Sequence, residues 1–387
     1  MSRLPKQAWL LGWVSLATDT ATEAIYPLLP FFLTQVLHAG AVSLGIVEGA
    51  AEAVNSVLKI WSGRIADRSP KKRPLVLFGY SVSSLARPFI AVTTTWLQVF
   101  TVRVLDRVGK GVRGAPRDAI LAHVTPAGQR GRVFGFHRAM DNLGAVLGPL
   151  LATLFLYFYP GSYRTLFGLT IVPGVIAIAL IVMIREEPTD VAQPLRAAPA
   201  DPSSAAGLKA CATTPFVAFI GVLTIFTLGN STDAFLLLKL TDAAGSAKYV
   251  PAMWAAHNFV KAIVSYLGGT WSDRIGRKQV IGLGWLIYAV VYGAFAVATS
   301  IGVLLAWFMV YGFYFGFAEG TEKALVADLA PAESRGTAFG IYYAVQGIGA
   351  LLASIVFGLI WNAFGAAAAF GVGAALALVA TVLLAII

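Results

Sequence analysis

The sequence predicts an all-α membrane protein with twelve transmembrane helices in two pseudo-symmetric six-helix bundles. Three observations carry this. The 387 residues are 58% hydrophobic and only 12% charged, against about 25% charged in a soluble domain, and the mean hydropathy is +0.75. Twelve apolar runs approach or exceed the roughly 20 residues a helix needs to cross hydrocarbon. Motifs of the first half return in the second, which is how repeated architectures announce themselves.

In order, the spans are expected at residues 9–37, 43–65, 74–94, 96–114, 133–159, 163–184, 215–240, 249–271, 279–299, 301–322, 336–361 and 364–387. Arg3 and Lys6 precede the first run and no small-residue cleavage site follows, so the first span is expected to be retained. Residues 185–214 differ from the rest: Glu186, Glu187, Pro188, Asp190, Pro194, Pro199 and Pro202 sit among Ala and Ser. This composition reads as a cytoplasmic linker joining an N-terminal bundle, 1–184, to a C-terminal bundle, 215–387.

The net charge is +10, but its placement argues for topology rather than for nucleic acid. Arg64, Arg68, Lys71, Lys72 and Arg73 follow the second span. Lys110, Arg113, Arg117, Arg130 and Arg132 fall between the fourth and fifth, and Arg274, Arg277 and Lys278 follow the eighth. The opposite side offers only Arg164, Lys239 and Lys248. The basic side is cytoplasmic, so both termini are expected inside, in a prokaryotic inner membrane. Cys211 is the single cysteine, which excludes an internal disulfide.

The repeat is specific. Gly63, Asp67 and Arg68 recur as Gly269, Asp273 and Arg274. Pro126, Arg130, Gly131, Phe134 and Gly135 recur at one constant offset as Pro331, Arg335, Gly336, Phe339 and Gly340. Two similar bundles of this kind hold substrate between them and rock about it.

These residues resemble the major facilitator superfamily. Gly63, Asp67, Arg68, Lys71 and Lys72 look like its signature between the second and third helices. Gly269, Asp273, Arg274, Gly276, Arg277 and Lys278 are a fuller second copy. Gly135, Gly144, Gly148 and Pro149 match the fifth-helix signature of the twelve-helix proton-linked drug antiporters, and Arg103 occupies the place of that family's fourth-helix arginine. Pro70 stands where the first copy usually has Gly, and Leu150 and Leu151 stand where small residues are common. The resemblance implies a cavity opening alternately to each side, gated by Gly63, Asp67, Arg68, Gly144, Gly148, Pro149, Gly269, Asp273 and Arg274. Asp67 would face the positive N-terminus of the helix starting near Gly336, and Asp273 the one near Gly131. Arg103 would couple proton movement to helix motion.

Charges at membrane depth are expensive and mark sites or pairs. Asp19 and Glu23, spaced i,i+4, share one face of the first span, with Pro27 and Pro30 breaking the helix beyond. They read as a cation or proton site, or as partners of an arginine from the fourth or fifth span. Glu48, Glu52, Asn55 and Lys59 stripe the second span, with Glu48 at the outer interface, where solvation suffices, and the deeper Glu52 and Lys59 read as a structural ion-pair network ahead of substrate contacts. Asp106 and Arg107 are expected to be structural. Arg138 and Asp141, i,i+3, are expected to pair, with Asp141 a second proton carrier, His137 interfacial and Asn142 on the cavity. In the second half, Asn230 and Asp233 lie outward of a flex point at Gly229, and Lys261 needs a carboxylate from the seventh or tenth span. Met253 and His257, i,i+4, could join Asp19 and Glu23 in holding a metal as transported cargo. Glu319, Glu322 and Lys323 are expected at the end of the tenth span, after the aromatic run from Tyr311 to Phe317.

Two patterns are rejected. Gly109, Gly111 and Gly114 mimic a dinucleotide loop but follow no strand. Asn230 to Thr232 fits a glycosylation sequon but is expected inside the seventh span. There is no phosphate-binding P-loop. The sequence therefore reads as a non-enzymatic secondary transporter without cofactor, driven by the proton gradient, monomeric, with a small molecule, protons and the lipid bilayer as partners and no nucleic acid. The favoured reading is a proton-coupled antiporter exporting an organic cation or amphiphile. The alternatives are transport of a metal ion or chelate, and a non-transporting receptor or assembly factor on the same fold.

Overall fold

The computed structural model describes residues 4–29, 32–38, 41–185, 213–244 and 250–387. Residues 186–212 of the expected linker, Cys211 among them, lie outside the described residues, with Pro30, Lys248 and the side chains of Glu48 and Glu52. The helices are α1 (Lys6–Ile25), α2 (Ala41–Arg68), α3 (Arg73–Ala86), α4 (Trp96–His123), α5 (Arg130–Phe158), α6 (Tyr163–Leu169), α7 (Ile171–Val182), α8 (Thr214–Gly229), α9 (Ala234–Ala244), α10 (Val250–Ile275), α11 (Arg277–Val297), α12 (Ile301–Leu329) and α13 (Arg335–Ile386). No strand occurs among the described residues.

The twelve spans map onto these helices. The first ends its regular helix at Ile25 and continues through a 3-10 turn, Tyr26–Leu28, at Pro27, as the prolines predict. The sixth is α6 and α7, broken at Thr170. The seventh is α8 and α9, broken after Gly229, so the sequon from Asn230 to Thr232 lies in the break rather than inside a helix. The last two spans are α13, which changes direction at Gly365, a residue with φ of 87° and ψ of 169°. That backbone conformation is open to glycine and strained for other residues.

Two boundaries differ with consequences. α4 continues nine residues past Gly114 to His123, carrying Pro116 inside it. Lys110, Arg113 and Arg117 therefore sit on a helix rather than in a loop, and Arg113 is buried. Likewise α12 continues past Glu322 to Leu329, which places Glu319, Glu322 and Lys323 in the helix interior, with Glu322 and Lys323 buried. Charged residues lowered the apparent hydropathy of both stretches and hid their helical continuation.

The chain forms two compact units. The first comprises Met1–Thr125, Met140–Lys209 and Ala332–Gly340; the second comprises Pro126–Ala139, Ala210–Pro331 and Ile341–Ile387. In the first, α4 packs against α2 and α3, and α7 against α1 and α3. In the second, α12 packs against α10 and α11. Each unit incorporates the opening turns of a helix, α13 and α5 respectively, whose remainder belongs to the other. Large apolar side chains such as Leu151, Leu154, Val172, Leu351, Ile355 and Leu359 stay exposed, which suits a surface solvated by lipid.

Candidate functional site

In the first unit, Asp67 ends α2 against the first turn of α13. Its Oδ1 accepts from Gly336 N at 2.6 Å and its Oδ2 from Thr337 N at 2.6 Å. A helix N-terminus offers unpaired N–H groups and a positive dipole end, so a carboxylate there satisfies both. Gly63, one turn earlier, makes the approach possible: a Cβ there would overlap the carbonyl of Gly336. The second unit repeats the device. Asp273 accepts from Gly131 N at 3.0 Å and Arg132 N at 2.8 Å, with Gly269 against Gly131. Arg68 and Arg274 are exposed. The cation on the second clamp is instead Arg277, bonded to Asp273, to Ser272 Oγ at 2.9 Å and to Asp328 at 3.0 Å. Arg130 reaches the same Asp328.

The fifth-helix signature meets α1. A Cβ on Gly144 would lie 2.7 Å from the carbonyl of Leu16, and one on Gly148 2.7 Å from that of Thr20. Small residues at a crossing let membrane helices touch backbone to backbone. Pro149 follows inside α5. This crossing presents Asp19 to Asp141: Ser15 Oγ donates to Asp141, and Asp19 lies within electrostatic reach of Asp141, Glu23, Lys110 and Arg113. Asp141 and Asn142 are buried.

Beside them, Asp106 is enclosed by three arginines. Arg87 Nε is 2.9 Å from its Oδ1, while Arg103 and Arg107 lie 3.5 and 3.7 Å from its Oδ2. Arg87 also donates to the carbonyl of Thr18 on α1 at 3.2 Å. Arg103 meets in Asp106 a carboxylate of its own helix, three residues on. Arg87, inside the expected third span, carries no spacing signal in the sequence that links it to Asp106.

The second unit holds an aromatic and acidic constellation. Asp233 accepts from Tyr311 OH at 2.9 Å, and Asn230 Nδ2 donates to Tyr314 OH at 2.9 Å. Lys261 lies within electrostatic reach of both Asp233 and Glu319, carboxylates from the two spans expected to supply its partner. Its Nζ also sits 3.7 Å from the Phe315 ring centroid. Arg138 of α5 forks onto Glu319 of α12, with Nε at 2.7 Å. Glu322 accepts from Trp285 Nε1 at 2.9 Å, Tyr342 OH at 3.0 Å and Gln346 Nε2 at 2.9 Å. Trp285 stacks on Phe226 at 4.4 Å.

His257 is fully buried, bonded through Nδ1 to the carbonyl of Phe308 at 3.0 Å and stacked on Phe308 and Tyr311. Met253 is half-buried a turn away. Among the described residues no group of three or more His, Cys, Asp or Glu side chains is placed to hold a metal ion.

A sequence profile described as Major Facilitator Superfamily matches residues 10–259 and 235–387. An uncharacterized MFS-type transporter of Methanocaldococcus jannaschii is 31% identical over 365 residues, covering 93% of this chain and 89% of that protein. The multidrug resistance protein MdtH of Klebsiella pneumoniae is 26% identical over 353 residues, covering 88% and 84%. Among solved structures, the human organic anion transporter MFSD10 superposes with a TM-score of 0.77 at 16% identity over 98% of this chain and 100% of that one. The Escherichia coli fucose:proton symporter FucP gives 0.76 at 14% identity, covering 98% of each.

Proposed function

The chain belongs to the Major Facilitator Superfamily, and from that premise we propose that it is a proton-coupled antiporter exporting an organic cation or amphiphilic small molecule. The observation that carries this reading is the α1–α5 crossing, where Asp19 and Asp141 come within electrostatic reach of each other beside Glu23. Carboxylates gathered at one crossing give a place where a proton and a cation can exchange. Protonation removes a negative charge, weakens the hold on the cation, and so couples the two fluxes. The aromatic rings beside Asp233 and Glu322 suit a flat lipophilic cation, which gains from ring faces as well as from charge. Relatives named multidrug resistance proteins favour small molecules as cargo.

In this reading the clamps at Asp67 and Asp273 break and re-form in each cycle as the two six-helix bundles, 1–184 and 215–387, alternate access about a linker at 185–214. The termini lie in the cytoplasm of a prokaryotic cell and the protein works as a monomer. The driving force is adequate: one charge crossing about 100 mV gains roughly 2.3 kcal/mol.

The test is thermal stability of the detergent-purified protein with tetraphenylphosphonium, ethidium, divalent metals and organic anions, on wild type and Asp19→Asn. A ligand at about 100 times its dissociation constant adds roughly 2.7 kcal/mol. The reading expects stabilisation by the organic cations that disappears in Asp19→Asn. Stabilisation by an anion or metal alone, or a cation effect untouched by Asp19→Asn, contradicts it.

A further inference from the structure

We propose that the cavity beside the start of α1 binds the phosphate headgroup of an anionic phospholipid from the cytoplasmic leaflet. This rests on the orientation proposed above only for the choice of leaflet. The cavity, about 720 Å³, lies wholly within the first unit and gathers three cations from separate parts of the chain: Lys6 at the first turn of α1, Arg73 at the start of α3, and Arg185 just beyond α7. Among the described residues, no acidic residue lines it.

Arg73 has a fixed position. Its Nε and Nη2 donate to the carbonyls of Ile181 and Val182 at 3.3 and 2.6 Å, closing the C-terminal end of α7. The guanidinium therefore adds its charge to the cavity wall without first having to be ordered. Lys6 and Arg185 are exposed and can converge on an incoming anion.

The same cavity has an apolar side, and this decides between a lipid and a free phosphate. Leu10, Val182 and Met183 also line it. Val182 and Met183 are 53% and 59% exposed despite their apolar side chains. A soluble anion leaves these groups unused, whereas a phospholipid covers them with the upper part of its acyl chains while its phosphate meets the cations. Basic pockets between transmembrane helices at the cytoplasmic surface select anionic headgroups by this combination.

The experiment is native mass spectrometry of the full chain in uncharged detergent, titrated with phosphatidylglycerol, with phosphatidylcholine of the same acyl chains, and with inorganic phosphate. Binding in micelles does not depend on transport or on orientation, so this test can fail independently of the antiporter reading. Phosphatidylglycerol is expected to bind wild type more tightly than phosphatidylcholine. The double variant Lys6→Gln/Arg185→Gln weakens it about thirtyfold, while Lys278→Gln, which removes an exposed charge elsewhere, changes it less than twofold. The double variant's lipid-free unfolding temperature should match wild type, since neither side chain holds a helix end as Arg73 does. Unchanged phosphatidylglycerol binding in the double variant overturns the proposal. So does an equal loss in Lys278→Gln, or inorganic phosphate binding as tightly as the lipid.

Discussion

Replacing Asp67 by Asn should release the first turn of α13 from α2. The carboxylate receives two N–H bonds, both 2.6 Å, from Gly336 and Thr337. Asparagine is nearly isosteric, yet its single carbonyl oxygen can accept only one of them, and its NH2 then faces an N–H. One charge-assisted bond is lost, worth about 1.5–3 kcal/mol net, together with the charge–dipole attraction at the helix N-terminus, worth about 0.3–2 kcal/mol. Taking about 2–4 kcal/mol in total, the population in which this contact is open rises by about thirtyfold to several hundredfold. Ala115 provides the readout: it is fully buried, and its Cβ lies 3.4 Å from where a Cβ on Gly63 would stand. In a Cys211→Ser background, Ala115→Cys should react with maleimide only when the contact opens. Its labelling rate should rise at least tenfold with Asp67→Asn. A rate within twofold of the parent would refute the clamp as an energetic determinant, whatever its geometry.

Further outcomes follow from the same contacts. Asp273→Asn should open the repeated contact in the second unit, read at Ser265→Cys, which is buried beside Gly135. Gly144→Ala forces a methyl to within 2.7 Å of the Leu16 carbonyl and should cost about 1–3 kcal/mol of unfolding stability; a neutral effect in a chemical unfolding titration would contradict the close α1–α5 crossing. Glu322→Ala strands the Trp285 and Tyr342 donors and should cost about 2–3 kcal/mol, with Glu322→Gln losing less; equal stability of the two variants would show that the network carries no weight. His257→Ala should lower the unfolding temperature equally with and without zinc or copper, because the ring packs on Phe308 and Tyr311; a metal-dependent loss would revive a metal site.

Much of this was legible because it was local or repeated. The i,i+4 spacing of Asp19 and Glu23, the glycines of α5 and the duplicated loop motif are patterns of spacing that a sequence displays directly. The contacts of Asp67 with the helix N-terminus at Gly336 and of Asp273 with that at Gly131 are the ones the family resemblance implies. The break after Gly229 and the turn at Pro27 were equally plain. What stayed hidden depended on tertiary pairing. Arg87 and Asp106 are 19 residues apart, Arg138 and Glu319 are 181 apart, and no periodicity links them. The continuation of α4 and α12 was missed because buried, paired charges look in sequence like solvated loops. Once Arg113 lies on the Tyr80 ring at 4.0 Å and Glu322 holds three neutral donors, their helices can stay buried.

The most direct test of the account is proton movement driven by substrate. Purified protein reconstituted into liposomes loaded with a pH-sensitive dye would be given an inward gradient of tetraphenylphosphonium or ethidium, with the membrane potential clamped. The account predicts proton flux opposite to the cation, abolished in Asp19→Asn and dissipated by a proton ionophore. Cation uptake without proton movement, or proton movement that survives Asp19→Asn, would contradict it.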